Sequence, residues 1–278
     1  MAHVQSQQLP VTSPAGAWRH EARAVYAVWL RDLTRFVAER VRFVGALGQP
    51  LIYLTIMGTG FGATFRAAAV PFGFSYKAFM FPGILGMTVL FTSLFSAISV
   101  IWDREFGFLK EILVAPISRA SIVLGKVLGG ATIASLQGTL LLLLAPLVQV
   151  HLTLPQVAQL WLVMFLLGFA LTSLGLAIAS RMDSMEGFQV VMNFLVVPMW
   201  LLSGAFFPLR GVPEWMAGLM RLNPLTYGVD ALRGVVYGNT LLAKVLVAHG
   251  FGFDVGIILA LVPVAFTLAL LTFKSREG

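Results

Sequence analysis

Residues 136–148 read LQGTLLLLLAPLV, a run in which only Gln137 and Thr139 carry polar side chains. A half-buried element alternates apolar and polar positions, with a period near 3.6 for a helix or 2 for a strand. This run is apolar in every direction. Within lipid, only helices or a closed barrel satisfy the backbone, and barrel strands alternate residue by residue over about ten positions. The expected fold class is therefore all-α, a polytopic membrane protein.

Working outward, 58% of the 278 residues are hydrophobic and 11% are charged, against roughly 25% charged in an ordinary soluble domain. A soluble globule is excluded. Six stretches approach or exceed the about 18–20 apolar residues that cross a bilayer, namely residues 44–62, 79–102, 123–149, 157–180, 188–207 and 251–273. They form one transmembrane domain covering the whole chain. Residues 1–17 lack the basic region and apolar core of a signal peptide and read as a disordered tail.

The net charge of +7 raises the question of nucleic acid, but the basic residues flank spans, so no nucleic-acid partner is expected. With the N-terminus inside, 13 Lys and Arg fall on the cytoplasmic side: six in residues 18–43, then Arg104, Lys110, Arg119, Lys126, Arg181, Lys274 and Arg276. The short outer loops hold only Arg66 and Lys77. This asymmetry places both termini in the cytoplasm.

Three segments stand outside the spans. In residues 18–43, Trp18, Ala22, Val25, Trp29, Leu33, Phe36 and Val37 recur at helical spacing, with Arg31, Arg35, Glu39 and Arg42 on another face. That pattern is an amphipathic helix, suited to a membrane surface or to a cytoplasmic partner. Residues 103–119, DREFGFLKEILVAPISR, set Phe106, Leu109 and Leu113 on one face before Pro116 ends the turn. Composition alone favours a solvated loop with basic flanks, while the amphipathic pattern also fits a groove on a soluble protein. Residues 208–250 are too long for an unstructured loop. They read as two short interfacial or re-entrant helices broken at Asn223–Pro224, forming either an outer lid or a surface cap.

The chemistry that is absent narrows the function. Gly125–Lys126 lacks the flanking residues of a phosphate-binding loop, and His20–Glu21 is not followed by a second histidine at zinc-site spacing. The four histidines (His3, His20, His151, His249) are scattered and there is no cysteine, so no metal site is expected. Ser203–Gly204 has no His/Asp pair beside it, and no catalytic residue is assigned. The span cores hold essentially no acid, with Asp254 near a span end. Acids are retained there when protons or ions must bind, so energy for transport would come from outside the chain. Gln49, Thr55, Gln137 and Asn193 are the notable polar residues within spans, alongside Ser and Thr. Small residues repeat at Gly58/Gly62, at Gly125/Gly129 and along Gly168, Thr172, Gly175 and Ala179. Such faces allow close helix packing, within one chain or between two.

Three stretches together resemble a family: residues 104–126 (REFGFLKEILVAPISRASIVLGK), residues 201–233 (LLSGAFFPLRGVPEWMAGLMRLNPLTYGVDALR) and the amphipathic helix before the first span. They are similar to the membrane subunits of type 2 ABC exporters, the ABC-2 family, in its bacterial drug, nodulation-factor and polysaccharide branch. The resemblance covers nearly the whole chain. It implies a permease, not itself an enzyme, in the bacterial inner membrane. It also implies a homo- or heterodimer with a second permease, contact with membrane lipid, and two copies of a cytoplasmic ABC ATPase. No cofactor is expected on this chain, while ATP and Mg belong to the partner.

Arg104–Ile117 then looks like a coupling helix that begins at Arg104, with Glu105, Gly107, Leu109 and Pro116 matching the family pattern and Glu111 at its acidic position. Asn223, Pro224, Tyr227 and Arg233 match the pattern of an outer gate, and Asp230 stands where relatives often carry Glu. A pathway between two halves, bounded by spans two and five, would be lined by Phe91, Phe95, Asn193, Phe194 and Met199. The implied activity is ATP-driven export of an amphiphile, such as a lipid, lipid-linked sugar or drug. An ATP-independent channel or scaffold is the alternative.

Overall fold

The computed structural model describes residues 14–38, 40–67, 75–105, 117–209, 212–238, 240 and 243–276. Among these residues every regular element is helical: α1 Pro14–Ala38, α2 Arg40–Ala67, α3 Tyr76–Ser96, α4 Ile98–Glu105, α5 Arg119–Leu142, a 3-10 turn Ala145–Val148, α6 Leu154–Ala179, α7 Met185–Leu201, α8 Glu214–Leu222, α9 Pro224–Tyr237, α10 Ala243–Leu246 and α11 Phe251–Arg276. The first helix begins at Pro14, inside the stretch read as a tail, and residues 1–13 lie outside the described residues.

Among the described residues, four helical stretches are long and apolar enough to cross a membrane: Tyr76–Glu105, Arg119–Leu142, Leu154–Ala179 and Phe251–Lys274. The chain is a multi-pass membrane protein. The first of these joins α3 to α4 through Ala97, whose right-handed helical backbone (φ −65°, ψ −17°) continues the rod. Helix α2 contains residues 44–62, the expected first span. Helix α7 is apolar but only 17 residues long.

The expected fifth span, 188–207, is therefore too long at its far end. The helix stops at Leu201, and Gly204 turns the chain with φ +79°, a conformation that a side chain disfavours. Ala205 then packs so closely on α3 that a Cβ at Gly83 would lie 2.5 Å from its own. The Tyr76 hydroxyl donates to the Phe206 carbonyl at 3.2 Å and seals the turn against α3. The expected third span, 123–149, likewise ends early, since α5 stops at Leu142 and Pro146 lies in the 3-10 turn.

Helix α3 is the centre of the bundle. Residues 78–90 are buried without interruption, as expected for a helix apolar on all sides. Helix α7 is one-sided: Phe188, Met192, Val196 and Trp200 are buried at i, i+4 spacing, while Val190, Phe194 and Val197 are exposed. Helix α11 is apolar all round, yet only 22% of its most apolar window is buried. Its remaining surface requires lipid or protein.

The helix starts follow local chemistry. Ser118 caps α5 by accepting from the Ser121 N–H at 3.2 Å, and Ser184 caps α7 by accepting from the Gly187 N–H at 3.1 Å. At the start of α6 the Thr153 N–H donates to the Gln156 side chain at 2.9 Å.

The small-residue pairs pack within this chain. Gly58 and Gly62 of α2 face Lys77 and Tyr76, and Gly168 and Gly175 of α6 face Ser93 and Leu94 of α3. Gly125 and Gly129 of α5 face α1. A Cβ at Gly125 would lie 2.7 Å from the Val28 Cβ and 3.0 Å from the Val25 carbonyl, whereas one at Gly129 would lie 3.2 Å from the Asp32 Cβ. Replacing Gly125 with Val should push α1 off α5 and cost about 1–3 kcal/mol, the usual range for overpacking. Gly129→Ala should cost less, and thermal unfolding of the purified protein in detergent reads both.

Candidate functional site

Segment 106–116 contains Gly107, Leu109, Glu111 and Pro116 and lies outside the described residues, but its two flanks are in place. Helix α4 leads into it and α5 leads out. The two flanks meet through charge: Lys126 Nζ of α5 lies 2.6 Å from Asp103 Oδ2 of α4, and both side chains are almost wholly buried. The ammonium also donates to Ser99 Oγ at 3.1 Å. Arg31 of α1 donates to the same Asp103 oxygen at 2.9 Å and lies 3.1 Å from Asp32. Two cations and two carboxylates therefore join α1, α4 and α5.

A second contact ties α1 to the exit flank. The Glu21 carboxylate accepts from Ser121 Oγ at 2.5 Å, Ser118 Oγ at 2.8 Å and the Ser118 N–H at 3.1 Å. The Ser121 and then the Ser118 hydroxyl hold its carboxyl below the usual carboxylate range. A depressed carboxylate stabilises the fold above its unfolded value, so this contact is intact at neutral pH and is lost only in acid.

Further contacts gather at the same end. Arg104 donates to the Met182 carbonyl at 2.9 Å, and Arg119 to the Lys274 carbonyl at 3.0 Å. The Trp102 indole N–H meets the Met185 sulfur, and the Arg35 guanidinium stacks 4.4 Å from the Trp102 ring. Glu105 is exposed at the end of α4.

Along α1 Val28 and Phe36 are buried, and Val25, Trp29 and Leu33 of the apolar stripe are partly covered together with Glu21, Arg31 and Asp32, whereas Trp18 is 79% exposed. The Trp29 indole N–H donates to Thr132 Oγ1 of α5 at 3.1 Å, so apolar and ionic contacts share the side of α1 that meets α5.

Beside this cluster a cavity of about 370 Å³ opens between α1, α2, α3 and α5. Its lining includes Phe91 and Phe95, which stack at 6.2 Å, together with Asp32, Arg35, Gln49 and Gln137. The Thr92 hydroxyl donates to Gln137 within it. The volume lies in the range of small-molecule sites, and the wall combines aromatic rings with polar groups. Of the other predicted lining residues, Asn193 and Phe194 lie on the exposed face of α7 and Met199 is half-buried near its end. None of the three lines this cavity.

At the opposite end of the bundle, α8 and α9 meet at Asn223. Its Oδ1 accepts from the Leu225 N–H at 3.0 Å, capping α9, and its Nδ2 donates to the Met199 carbonyl at 2.6 Å, tying that cap to α7. Pro224 takes the first position of α9, where its missing N–H costs nothing. The Tyr227 hydroxyl donates to the Arg221 carbonyl at 2.8 Å. Arg233 is buried, donates to the Gly204 carbonyl at 2.8 Å and lies 4.5 Å from the Phe79 ring. Burial lowers its guanidinium to about 10, so it stays charged at neutral pH. Asp230 accepts from the N–H groups of Ala248 and His249 at 3.0 and 2.8 Å.

The fold thus joins Arg104 to the loop between α6 and α7, and joins Asn223, Pro224, Asp230 and Arg233 into one packed end. It keeps Glu105 apart. Sequence reasoning missed Glu21, Arg31, Asp32, Asp103 and Lys126. The one available signal was an acid and a base inside the apolar blocks on either side of segment 106–116. It also missed that His249, one of four scattered histidines, is brought beside Asp230 and Asp254.

Comparison with known proteins gives a consistent set of likenesses. Residues 23–237 match the sequence profile of the ABC-2 type transporter. The chain is 32% identical over 202 residues to the putative transport permease ycf38 of Cyanophora paradoxa, covering 69% of this chain and 67% of that one. It is 29% identical to nodulation protein J of Rhizobium meliloti, covering 82% and 85%. The inner membrane transport permease YadH of Escherichia coli K12 is 28% identical, with 88% and 94% covered.

Replacing Asp103 with Asn should leave Lys126 charged and unpaired in the interior and cost about 3–5 kcal/mol, the usual penalty for breaking a buried pair. The double change Asp103→Asn with Lys126→Met should recover most of that loss. Thermal unfolding of the three proteins in detergent checks the pattern, and a double variant no better than the single one would contradict it.

Proposed function

The chain belongs to the ABC-2 type transporter family, and on that footing we propose that it is the permease half of an ATP-driven exporter. Export would run by alternating access, from the cytoplasm or inner leaflet outward, for an amphiphilic substrate such as a lipid, lipid-linked sugar or drug. Hydrolysis belongs to two copies of a separate ABC ATPase, with ATP and Mg bound there. The permease acts as a homo- or heterodimer in the bacterial inner membrane. In the proposed topology it has six spans: α2, α3 with α4, α5, α6, α7 and α11. Both termini are cytoplasmic, and α1 lies as an amphipathic helix at the membrane surface.

The observation that carries this reading is the pair of ties from α1 to both flanks of segment 106–116, Arg31 to Asp103 and Glu21 to Ser118. Segment 106–116, with Arg104 and Glu105 leading into it, is the coupling element that docks on the ATPase. A push on it reaches α1 through both ties. It reaches α5 through Asp103 and Lys126, and the loop between α6 and α7 through Arg104. The cavity bounded by Phe91 and Phe95 shares Asp32 with the cluster, so displacement of α1 reshapes the cavity wall. The exposed face of α7, with Asn193 and Phe194, is the side offered to the second permease and the pathway. At the outer end α8 turns Trp215, Leu219 and Leu222 away from the protein, as an interfacial helix does. The unit of Asn223, Pro224, Tyr227, Asp230 and Arg233 closes the pathway above it.

Pull-down of the tagged protein from native membranes in mild detergent should recover a stoichiometric ABC-type ATPase by mass spectrometry. Its consistent absence from active membranes would overturn the reading. Glu105→Ala and Leu109→Ala should each weaken ATPase docking, or uncouple hydrolysis from transport, with membrane insertion unchanged. Asn223→Ala should instead slow transport while ATPase binding is kept, and an equal loss of both would count against an outer gate.

A further inference from the structure

Asp254 stands in the first turn of α11 and is wholly buried; among the described residues no N–H group donates to either of its carboxylate oxygens, and the neighbour it meets is another carboxyl group, that of Asp230. A buried carboxylate without donors is costly, and natural structures rarely keep one without a counter-ion. His249 Nδ1 lies 3.4 Å from Asp254 Oδ1 and 3.4 Å from Asp230 Oδ2, and it lacks a hydrogen-bond partner among the described residues. The donor atoms of the three residues all lie within 4.8 Å of one another.

From this geometry we propose that Asp230, His249 and Asp254 bind a divalent transition-metal ion, zinc fitting best, which latches α9 to the last membrane helix. The separations fit metal ligands better than hydrogen bonds, whose usual length is about 2.9 Å. Four ligands held tetrahedrally about 2.0–2.1 Å from zinc are about 3.4 Å apart, the distance from Nδ1 to each carboxylate. One imidazole nitrogen with two carboxylates suits zinc and its neighbours, whereas calcium and magnesium favour oxygen-only shells. Three protein ligands leave a fourth position for water, and the His249 side chain, 27% exposed, gives a route to solvent.

The surroundings hold the ligands in place. The N–H groups of Ala248 and His249 orient the Asp230 carboxylate, and the rings of Tyr227 and Phe253 flank the imidazole at 5.7 and 5.2 Å. Supporting contacts of this kind tune metal affinity. Arg233 lies one turn beyond Asp230, attracts that carboxylate electrostatically and donates to the Gly204 carbonyl at 2.8 Å.

The test uses the full-length protein in detergent, stripped with a chelator and then titrated with zinc alone or cobalt alone. Elemental analysis should find one zinc per chain, and cobalt should develop the absorption bands of a four-coordinate site. Zinc should raise the melting temperature. His249→Ala and Asp254→Asn should each weaken zinc binding at least about 10-fold, since even outer-shell changes cost that much, while His151→Ala leaves it unchanged. If Asp254→Asn does not fold, the metal count and cobalt spectrum of the native protein still decide. Failure to bind zinc stoichiometrically, or binding unaltered in both variants, would overturn the proposal. So would a melting temperature that responds to pH but not to zinc, which would show a proton or a charged imidazole holding the carboxylates together. These outcomes are independent of ATPase partnership and transport.

Discussion

The ammonium of Lys126 is buried in an apolar bundle, and its neutralisation by Asp103 is the constraint on which the arrangement around segment 106–116 depends. An unpaired charge in that setting costs several kcal/mol, so α4 and α5 are held at the spacing that keeps the pair closed. Arg31 completes the cluster and brings α1 down onto both helices. Gly125 and Gly129 then allow α1 to sit within contact distance of α5, because no side chain intervenes. The Glu21 contact to Ser118 and Ser121 fixes the other flank. The flanks of the segment therefore cannot shift without moving α1, and with α1 one wall of the cavity.

The opposite end is held by hydrogen bonds to backbone carbonyls. Arg233 reaches Gly204, Asn223 reaches Met199, and the Tyr237 hydroxyl donates to Ala78 at 2.6 Å. Each donor belongs to α9 or its cap, and each acceptor to α3, α7 or the turn after α7. The turn that ends α7 is thus locked to the central helix by α9 and its cap. Between these two fastened ends, the exposed faces of α7 and α11 are apolar. The apolar exposed faces are thus separated from the two ends fixed by polar contacts.

How much was legible varies with the kind of signal. The uniform apolarity of runs such as 136–148 and 79–90 specified buried membrane helices, and the Asn223–Pro224 break marked the junction of α8 and α9, because Pro at the first helical position is a local rule. The ends of the third and fifth spans were not legible. Residues 143–149 and 202–207 are as apolar as the helices before them, and the chain turns there through the 3-10 turn holding Pro146 and through the positive φ of Gly204 packed beside α3. The ionic partners of α1 were not legible for a related reason. Hydrophobic periodicity locates an apolar face, but Arg31 and Glu21 find their partners, Asp103 and Ser121, at 72 and 100 positions away.

Composition and local pattern by themselves determined that this is an all-helical membrane protein, where its charged segments lie, and which family it resembles, because lipid solubility, helix capping and short motifs depend on neighbours in the chain. Tertiary structure alone decided that the glycine pairs pack within one chain. It alone joined Asp103 to Lys126 and Arg31, and enclosed the cavity of Phe91 and Phe95 while leaving Asn193 and Phe194 outside it. It alone gathered a stray histidine between Asp230 and Asp254. The physical reason is the same in each case: a buried charge or a close contact is specified by its partner in space, and here that partner lies in a different helix.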